Sequence, residues 1–438
     1  MKPINVGLLG IGTVGGGTFA VLERNADEIA RRAGREIRIT TVADRNTKRA
    51  REIAGGRIKI TDDAFSVTRD PEIDIVIELI GGYTVAKDLV LAAIENGKHV
   101  VTANKALLAV HGNEIFAAAR RRDVMVAFEA AVAGGIPIIK ALREGLSANR
   151  IQWVAGIING TTNFILSEMR DKGLSFAAAL AEAQRLGYAE ADPTFDIEGV
   201  DAAHKATIMS AIAFGIPMQF DKAHVEGITR LESIDITYAE QLGYRIKLLG
   251  IARRREQGVE LRVHPALVSA KRLLANVEGA MNAVLVQGDA VGATLYYGKG
   301  AGAEPTASAV IADLIDVTRL HTADPEHRVP HLAFQPERVR DVPVLPIGET
   351  ITAYYLRMRV LDKPGVLADI ARIFADGGIS IDAMVQKEAG EGESQTDIIL
   401  LTHRTVEKNA DAAIARIEAL DTVQGKVTRL RLETLQGI

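Results

Sequence analysis

Glu190, Asp192, Asp196, Glu198 and Asp201 crowd into one short stretch that ends at His204 and Lys205. The run from Val200 onward is largely apolar with helical spacing, which sets Asp201 and Lys205 four residues apart on one face. A carboxylate and an ammonium held together can grip a polar substrate and move a proton. The same residues also suit a solvated acidic loop running into a surface ion pair. His204 diverges from that face and reads as packing or surface.

The start of the chain supplies a cofactor cradle. Asn5–Leu9 is a short apolar strand, followed by Gly10-Ile-Gly12-Thr13-Val14-Gly15 and a helix from about Thr13 to Ala33. Gly10 permits the tight turn, Gly12 leaves room for a pyrophosphate, and Gly15 lets helix and sheet approach. The free N–H groups of the first helical turn, around Thr13 and Val14, then face the phosphates. Ile37–Ala43 and Ile73–Ile80 are the next buried strands, which makes this a Rossmann-type dinucleotide domain; a Rossmann-like sheet without cofactor is the alternative. Asp44 could accept from the ribose hydroxyls of NAD, whereas Arg45 could pair with the extra phosphate of NADP. The expectation is NADP, with NAD also accepted.

A helix over Val85–Asn96 leads to the strand His99–Thr102, whose C-terminal end carries Thr102, Asn104 and Lys105. Ligands bind at that end of an open α/β sheet, which turns Lys105 toward nicotinamide and substrate. Met125–Ala131 reads as a further strand, and Val132-Ala-Gly134-Gly-Ile136-Pro137 turns the chain away. Beyond it, helices at 138–144, 164–172, 175–186, 200–214 and 237–242 alternate with strands at 151–157, 248–253, 261–265, 283–288 and 292–297. That pattern fits an α+β substrate domain. Glycines around Gly300 and Gly302, with Glu304, then lead to a helix Ala307–Leu320 that packs back on the first domain.

Composition narrows the class. The 438 residues are 47% hydrophobic and 25% charged, with formal net charge -4. A mildly acidic balance does not favour nucleic acid or anionic membranes, and no run approaches the roughly 18 apolar residues of a membrane span. Without cysteine, thiolate ligands, disulfides and cysteine nucleophiles are absent. The opening residues enter a strand directly, so a cytoplasmic protein is expected.

A linker tail, Asp341–Gly348, precedes a compact module. Its strands fall at 352–360, 379–387, 396–402 and 425–432, with helices at 366–375 and 406–420, the βαββαβ order of a ferredoxin-like domain. Gly365 and the helical turn after it could hold a carboxylate.

Taken together, Gly10–Gly15, Thr102–Lys105, Glu129–Pro137, Gly156–Asn163, Gly187–Lys205 and Gly300–Val310 resemble the homoserine dehydrogenases, and Asp362–Leu367 resembles an ACT domain. The expected division is 1–135 cofactor domain, 136–306 catalytic domain, 307–340 helical return, 341–350 linker and 351–438 ACT domain. The resemblance implies NAD(P)-dependent interconversion of L-homoserine and L-aspartate 4-semialdehyde, serving threonine and methionine synthesis. It makes Lys205 the proton-transfer residue and sets Lys105 between cofactor and substrate. Asp201 would orient substrate or Lys205, and Glu190 would bind the substrate ammonium. Gly160, Thr161 and Tyr188 would hold the polar end, with Asp196 in the same shell. Gly302 and Glu304 join the cofactor shell. Glu129 with the carbonyls of Val132, Gly134 and Ile136 resembles a monovalent-cation site, such as for Na+; a glycine hinge without an ion is the alternative. Threonine is the implied effector at the ACT domain, and a homodimer or homotetramer the implied assembly. Another NAD(P) oxidoreductase for amino-acid aldehydes and an inactive amino-acid sensor are the competing readings.

Overall fold

A computed structural model describes residues 2–56, 58–386 and 394–435. Lys387, expected to close one strand, lies outside the described residues, as do 436–438.

Alternating apolar runs and helical segments build the first layer: β1 (Ile4–Leu9), α1 (Thr13–Arg24), α2 (Ala26–Ala33), β2 (Ile37–Ala43), α3 (Thr47–Ala54), β3 (Lys59–Thr61), α4 (Ala64–Arg69), β4 (Ile75–Glu78), α5 (Val85–Glu95), β5 (His99–Thr102), α6 (Lys105–Arg121) and β6 (Val126–Ala127). The parallel strands lie in the order β3-β2-β1-β4-β5-β6. The order reverses between β1 and β4, so the loops after these strands open a crevice at the sheet's C-terminal end. The two loops touch. Gly10 has φ +91, and a Cβ there would stand 2.8 Å from the Leu79 carbonyl oxygen.

Three local differences from the sequence reading have physical causes. The single first helix breaks at Asn25, whose φ of -109 and ψ of 20 end one helix and begin the next. β3 is only three residues long at the sheet edge, too short for its pattern to stand out. The strand expected over Met125–Ala131 stops at Ala127, and Glu129–Ala131 forms a 3-10 turn. There the Glu129 N–H donates to Asp313 Oδ2 at 2.7 Å instead of to a neighbouring strand.

The second layer begins with α7 (Ile138–Lys140), continued by a π turn, and β7 (Ile151–Ile157). Then come α8 (Gly160–Lys172), α9 (Phe176–Arg185), α10 (Thr194–Ile197), α11 (Val200–Phe214), β8 (His224–Val225), α12 (Ser233–Gln241), β9 (Tyr244–Arg254), β10 (Val259–Ser269), β11 (Met281–Gly288) and β12 (Gly292–Lys299). Every residue of α11 from Asp201 to Phe214 is buried. A helix apolar on all sides has to lie inside the core, so its few polar residues are held there at a cost unless paired. α13 (Ala303–Leu320) returns to the first layer and crosses α1, where a Cβ on Gly17 would meet the Ala303 carbonyl oxygen at 2.6 Å. The expected helical return ends at Leu320; the chain then runs to residue 340 through 3-10 turns at Pro325–His327 and Pro336–Arg338.

The C-terminal module contains β13 (Ile351–Leu361), α14 (Val366–Asp376), β14 (Ile381–Gln386), β15 (Gln395–Thr402), β16 (Thr405–Val406), α15 (Glu407–Glu418) and β17 (Val423–Glu433). Its strands lie in the order β17-β13-β15-β14, consistent with the expected ferredoxin-like domain. It is not a separate body: β17 pairs in parallel with β10 from Ala266 against Arg431 to Val268 against Glu433. One sheet, ordered β12-β11-β7-β9-β10-β17-β13-β15-β14, therefore spans the second layer and the C-terminal module. The expected linker is pinned too, since Val259 N–H donates to Pro343 O at 2.9 Å and Leu345 N–H to Val259 O at 2.8 Å. An exposed sheet edge with unpaired backbone groups recruits whatever strand the chain can bring to it.

Candidate active site

The i,i+4 spacing on α11 does what it suggests. Lys205 Nζ donates to Asp201 Oδ2 at 2.7 Å, and also to the carbonyl oxygen of Ile158, just after β7, at 2.8 Å. Both residues are nearly sealed, with Lys205 9% and Asp201 4% exposed. The other Asp201 oxygen, Oδ1, is 3.2 Å from Lys105 Nζ. Lys105 is the first residue of α6, after Asn104, whose Oδ1 accepts the Leu107 N–H and whose Nδ2 donates to Gly82 O at 2.5 Å. The two lysines thus come from different layers and meet on one carboxylate.

Burial pushes the Asp201 carboxyl upward, but the charges of Lys205 and Lys105 and hydrogen bonds from Lys205 and Asn159 outweigh it and hold it well below the ordinary carboxylate range. Two ammonium groups meeting on one carboxylate concentrate positive charge at this point. Such a charge can stabilise an oxyanion and pass a proton to it. Asp196, half-buried on α10, is shifted the other way, first by burial and then by the neighbouring Asp201 charge.

Asn159 is the connecting residue that the motif reading did not single out. Its Nδ2 donates to Asp196 Oδ1 at 2.7 Å and to Asp201 Oδ2 at 2.8 Å, while its Oδ1 caps α8 through the Thr162 N–H at 2.8 Å. An asparagine directly before Gly160-Thr161-Thr162 at the head of an apolar helix is an N-cap signature, which was the available signal. The same cap starts α8 at Gly160, so Gly160 and Thr161 sit in a helical turn, four residues before the expected start at 164. Thr161 Oγ1 donates to the Tyr188 carbonyl oxygen at 2.7 Å, and the Tyr188 ring packs on Phe164 with centroids 4.7 Å apart. The Tyr188–Glu190 loop is thereby tied to α8. Glu190 is exposed and, among the described residues, its carboxylate has no partner. His204 is packing: it lies between Phe195 and Phe220, 3% exposed, with Nδ1 unpaired.

The cofactor cradle fits a dinucleotide. α1 has no side-chain cap at Gly12, and a Cβ built there meets nothing within 4 Å, so the head of the helix is open beside Gly12. At Gly15 a Cβ would collide with the Gly10 carbonyl oxygen at 2.1 Å. Asp44 fastens the turn, accepting the Ile11 N–H on Oδ2 and the Asn46 N–H on Oδ1, both at 2.8 Å. Arg45 beside it is exposed and unpaired among the described residues. Two expected cofactor contacts are redirected. The Thr102 hydroxyl is fully buried and donates to Glu78 Oε2 at 2.7 Å, so it shapes the turn into Asn104 and does not face a ligand. Glu304 pairs with Arg24 at the far end of α1, roughly 18 Å along the helix from Gly12 by its rise per residue. Gly302 does stand at the head of α13, with φ +124.

Residues 137–315 match the homoserine dehydrogenase family and residues 10–129 its NAD binding domain. The homoserine dehydrogenase of Pseudomonas aeruginosa is 65% identical over 435 residues, covering 99% of this chain and all of that protein. The chain belongs to the homoserine dehydrogenase family. A crystal structure of a homoserine dehydrogenase from Thiobacillus denitrificans superposes with a TM-score of 0.95 at 71% identity, over 99% of both chains. A hyperthermophilic archaeal homoserine dehydrogenase solved in complex with NADPH shares 26% identity, with a TM-score of 0.62 over 72% of this chain and 98% of its own. Residues 354–422 match the ACT domain. Homoserine dehydrogenase activity, the NAD(P)-dependent interconversion of L-homoserine and L-aspartate 4-semialdehyde in amino-acid biosynthesis, is therefore the activity of this chain. The Rossmann, α+β and ACT parts expected from the sequence are all present.

The hinge segment completes the geometry. Glu129 is 1% exposed, and its two carboxylate oxygens accept the N–H groups of Ile139 at 2.9 Å and Lys140 at 2.8 Å. Burial, and then the Asp313 charge, push it up to about 7. Val132, Gly134 and Ile136 are buried nearby in sequence, and a Cβ on Gly134 would strike the Gly300 carbonyl oxygen at 2.4 Å. Among the described residues no cluster of three or more His, Cys, Asp or Glu could hold a metal ion. A cavity of about 1080 Å³ lies between α6, α13 and residues 325–339; Asp313 is on its wall, but none of the substrate or cofactor residues named above lines it. Among the described residues no helix is long and apolar enough to cross a membrane.

Proposed function

We propose that Lys205 is the proton-transfer residue of the homoserine dehydrogenase reaction and that Lys105 shares the charge on the reacting oxygen. Bound NADPH would supply the hydride to the aldehyde carbon of L-aspartate 4-semialdehyde. As negative charge grows on the aldehyde oxygen, the Lys205 ammonium stabilises it and gives up a proton; in homoserine oxidation it takes the proton back. Asp201 holds both ammonium groups in place, Glu190 binds the substrate's α-ammonium, and Gly160, Thr161, Tyr188 and Asp196 line its polar end. The observation that carries this reading is the division of the Asp201 carboxylate between Lys205 and Lys105. It is tested by following reduced-nicotinamide absorbance with L-homoserine in Lys205→Ala. Loss of turnover with unchanged cofactor affinity is expected, and near-normal turnover overturns it.

NADP is the preferred cofactor in this reading. Arg45 is free to meet the extra phosphate while Asp44 is occupied by the backbone of the turn, and the archaeal relative carries NADPH. A monovalent cation, Na+ or K+, would be held by Glu129 and the carbonyls of Val132, Gly134 and Ile136. Oxygen donors suit a hard ion, and a cation would offset the buried Glu129 and Asp313 charges. Activity indifferent to both ions after desalting leaves a plain hinge.

The ACT match supports threonine as a feedback effector, bound near Gly365 at the head of α14. Because β17 is an internal strand, truncation near Gly348 would tear the sheet; threonine inhibition should instead be compared in intact enzyme and Gly365→Asp. Inhibition of equal strength in the two rejects this site. Homo-oligomerisation is supported by exposed Val291 and Tyr297 at the edge hairpin of the large sheet, and sedimentation distinguishes dimer from tetramer. The freely diffusing substrate and cofactor of the reaction suit a cytoplasmic enzyme.

A further inference from the structure

The seam between the ACT strands and the catalytic sheet leads back to the substrate shell. Arg431 on β17 is 1% exposed and lies between two carboxylates. Its Nε donates to Glu407 Oε2 at 2.8 Å, at the start of α15. Its two terminal nitrogens donate to the two oxygens of Glu226, each at 2.9 Å. A bidentate guanidinium–carboxylate pair fixes direction as well as distance. Glu226 follows β8 and is anchored by its N–H to Val263 O on β10 at 2.8 Å.

The next residue leaves no room for slack. A Cβ on Gly227 would stand 2.3 Å from the Ile197 carbonyl oxygen and 2.5 Å from Glu198 Cα, and Ile228 N–H donates to the same Ile197 oxygen at 2.8 Å. Ile197 ends α10, the turn that carries Asp196. Asp196 in turn meets the Asn159 amide that also holds Asp201. Contact is therefore backbone on backbone or a short polar bond at every step from β17 to the lysine pair, the kind of contiguous packing that can transmit a displacement.

We propose that Glu226, gripped by Arg431, is a positioning residue for homoserine binding, setting the α10 corner that presents Asp196 and steadies the Asn159–Asp201 contact. This rests on the substrate-shell reading of Asp196 given above. The ACT domain then acts on substrate affinity through a fixed contact and not as a swinging module.

The test is steady-state kinetics of the full-length enzyme at saturating cofactor. Glu226→Gln keeps the shape and weakens the grip; the KM for L-homoserine should rise about tenfold, corresponding to about 1.4 kcal/mol, with kcat and the cofactor KM nearly unchanged. In a cycle with Asp196→Asn the two effects on homoserine KM should combine less than multiplicatively. Arg431→Lys, which keeps the charge but loses the fork, should move the same parameter by less and serves if Glu226→Gln folds poorly. A fall in melting temperature with every kinetic constant intact would show a merely structural pair and overturn the proposal, as would equal changes in homoserine and cofactor KM. A normal homoserine KM in Asp196→Asn rejects the substrate-shell reading instead; a raised KM in Glu226→Gln then still supports positioning through Asn159 and Asp201.

Discussion

Lys105 and Asp201 meet at 3.2 Å although one opens a helix of the cofactor layer and the other lies in the first turn of a helix of the catalytic layer. Lys205 already occupies the other Asp201 oxygen. The carboxylate is thus the joint at which the two layers agree on the position of the charge. Asp201→Asn keeps an acceptor for one lysine but removes the charge that holds both. We expect kcat to fall about 100- to 1000-fold, the range for loss of a preorganised charge contact, with cofactor dissociation, measured by fluorescence titration, nearly unchanged. A fall in cofactor affinity of the same size would show that Asp201 serves the cofactor layer instead.

The two lysines act on one oxygen in this scheme. Lys205→Ala and Lys105→Ala should each cost about 100-fold or more in kcat/KM, and the double variant should lose much less than the product. Fully multiplicative losses would assign them independent jobs.

Asn159 has three partners, so its removal should be felt twice. Asn159→Ala removes the cap of α8, at about 1 kcal/mol of stability, and frees Asp196 from Asp201. Denaturant titration should register the first effect and a raised KM for homoserine the second. A stability change with KM intact would confine Asn159 to capping.

Arg45→Ala should lower kcat/KM with NADP by roughly 10- to 100-fold, the worth of a charge-assisted phosphate contact of about 1.5–3 kcal/mol, while leaving NAD turnover in place. Equal losses with both cofactors would place Arg45 elsewhere in the cradle.

His204 gives a pH prediction. Burial lowers it to about 4, with Asp201 opposing and Lys105 and Lys205 adding to the shift. A histidine whose folded value lies below its unfolded one contributes full stability above about pH 6.5, and that contribution is lost as pH falls toward 4. The loss amounts to about 3 kcal/mol. His204→Gln should therefore show a shallower acid decline in melting temperature than the parent between those values. Parallel declines would assign the acid sensitivity to other groups.

Residue spacing along the chain dictates the local machinery. Glycine spacing after β1 forced the turn, because Gly10 needs a positive φ and Gly15 has a carbonyl oxygen where a Cβ would be. The four-residue offset placed Asp201 against Lys205, since helix geometry fixes that distance without help from the rest of the chain. The βαββαβ alternation likewise specified the C-terminal module. Relations between segments far apart in the chain come instead from packing. Lys105 shares Asp201 over 96 residues because α6 and α11 pack together; Glu304 turns to Arg24 and Thr102 to Glu78 because those partners fold within reach. The joining of β17 to β10 was equally invisible, because a strand's residue pattern records which faces are buried but not which neighbour satisfies its backbone edge.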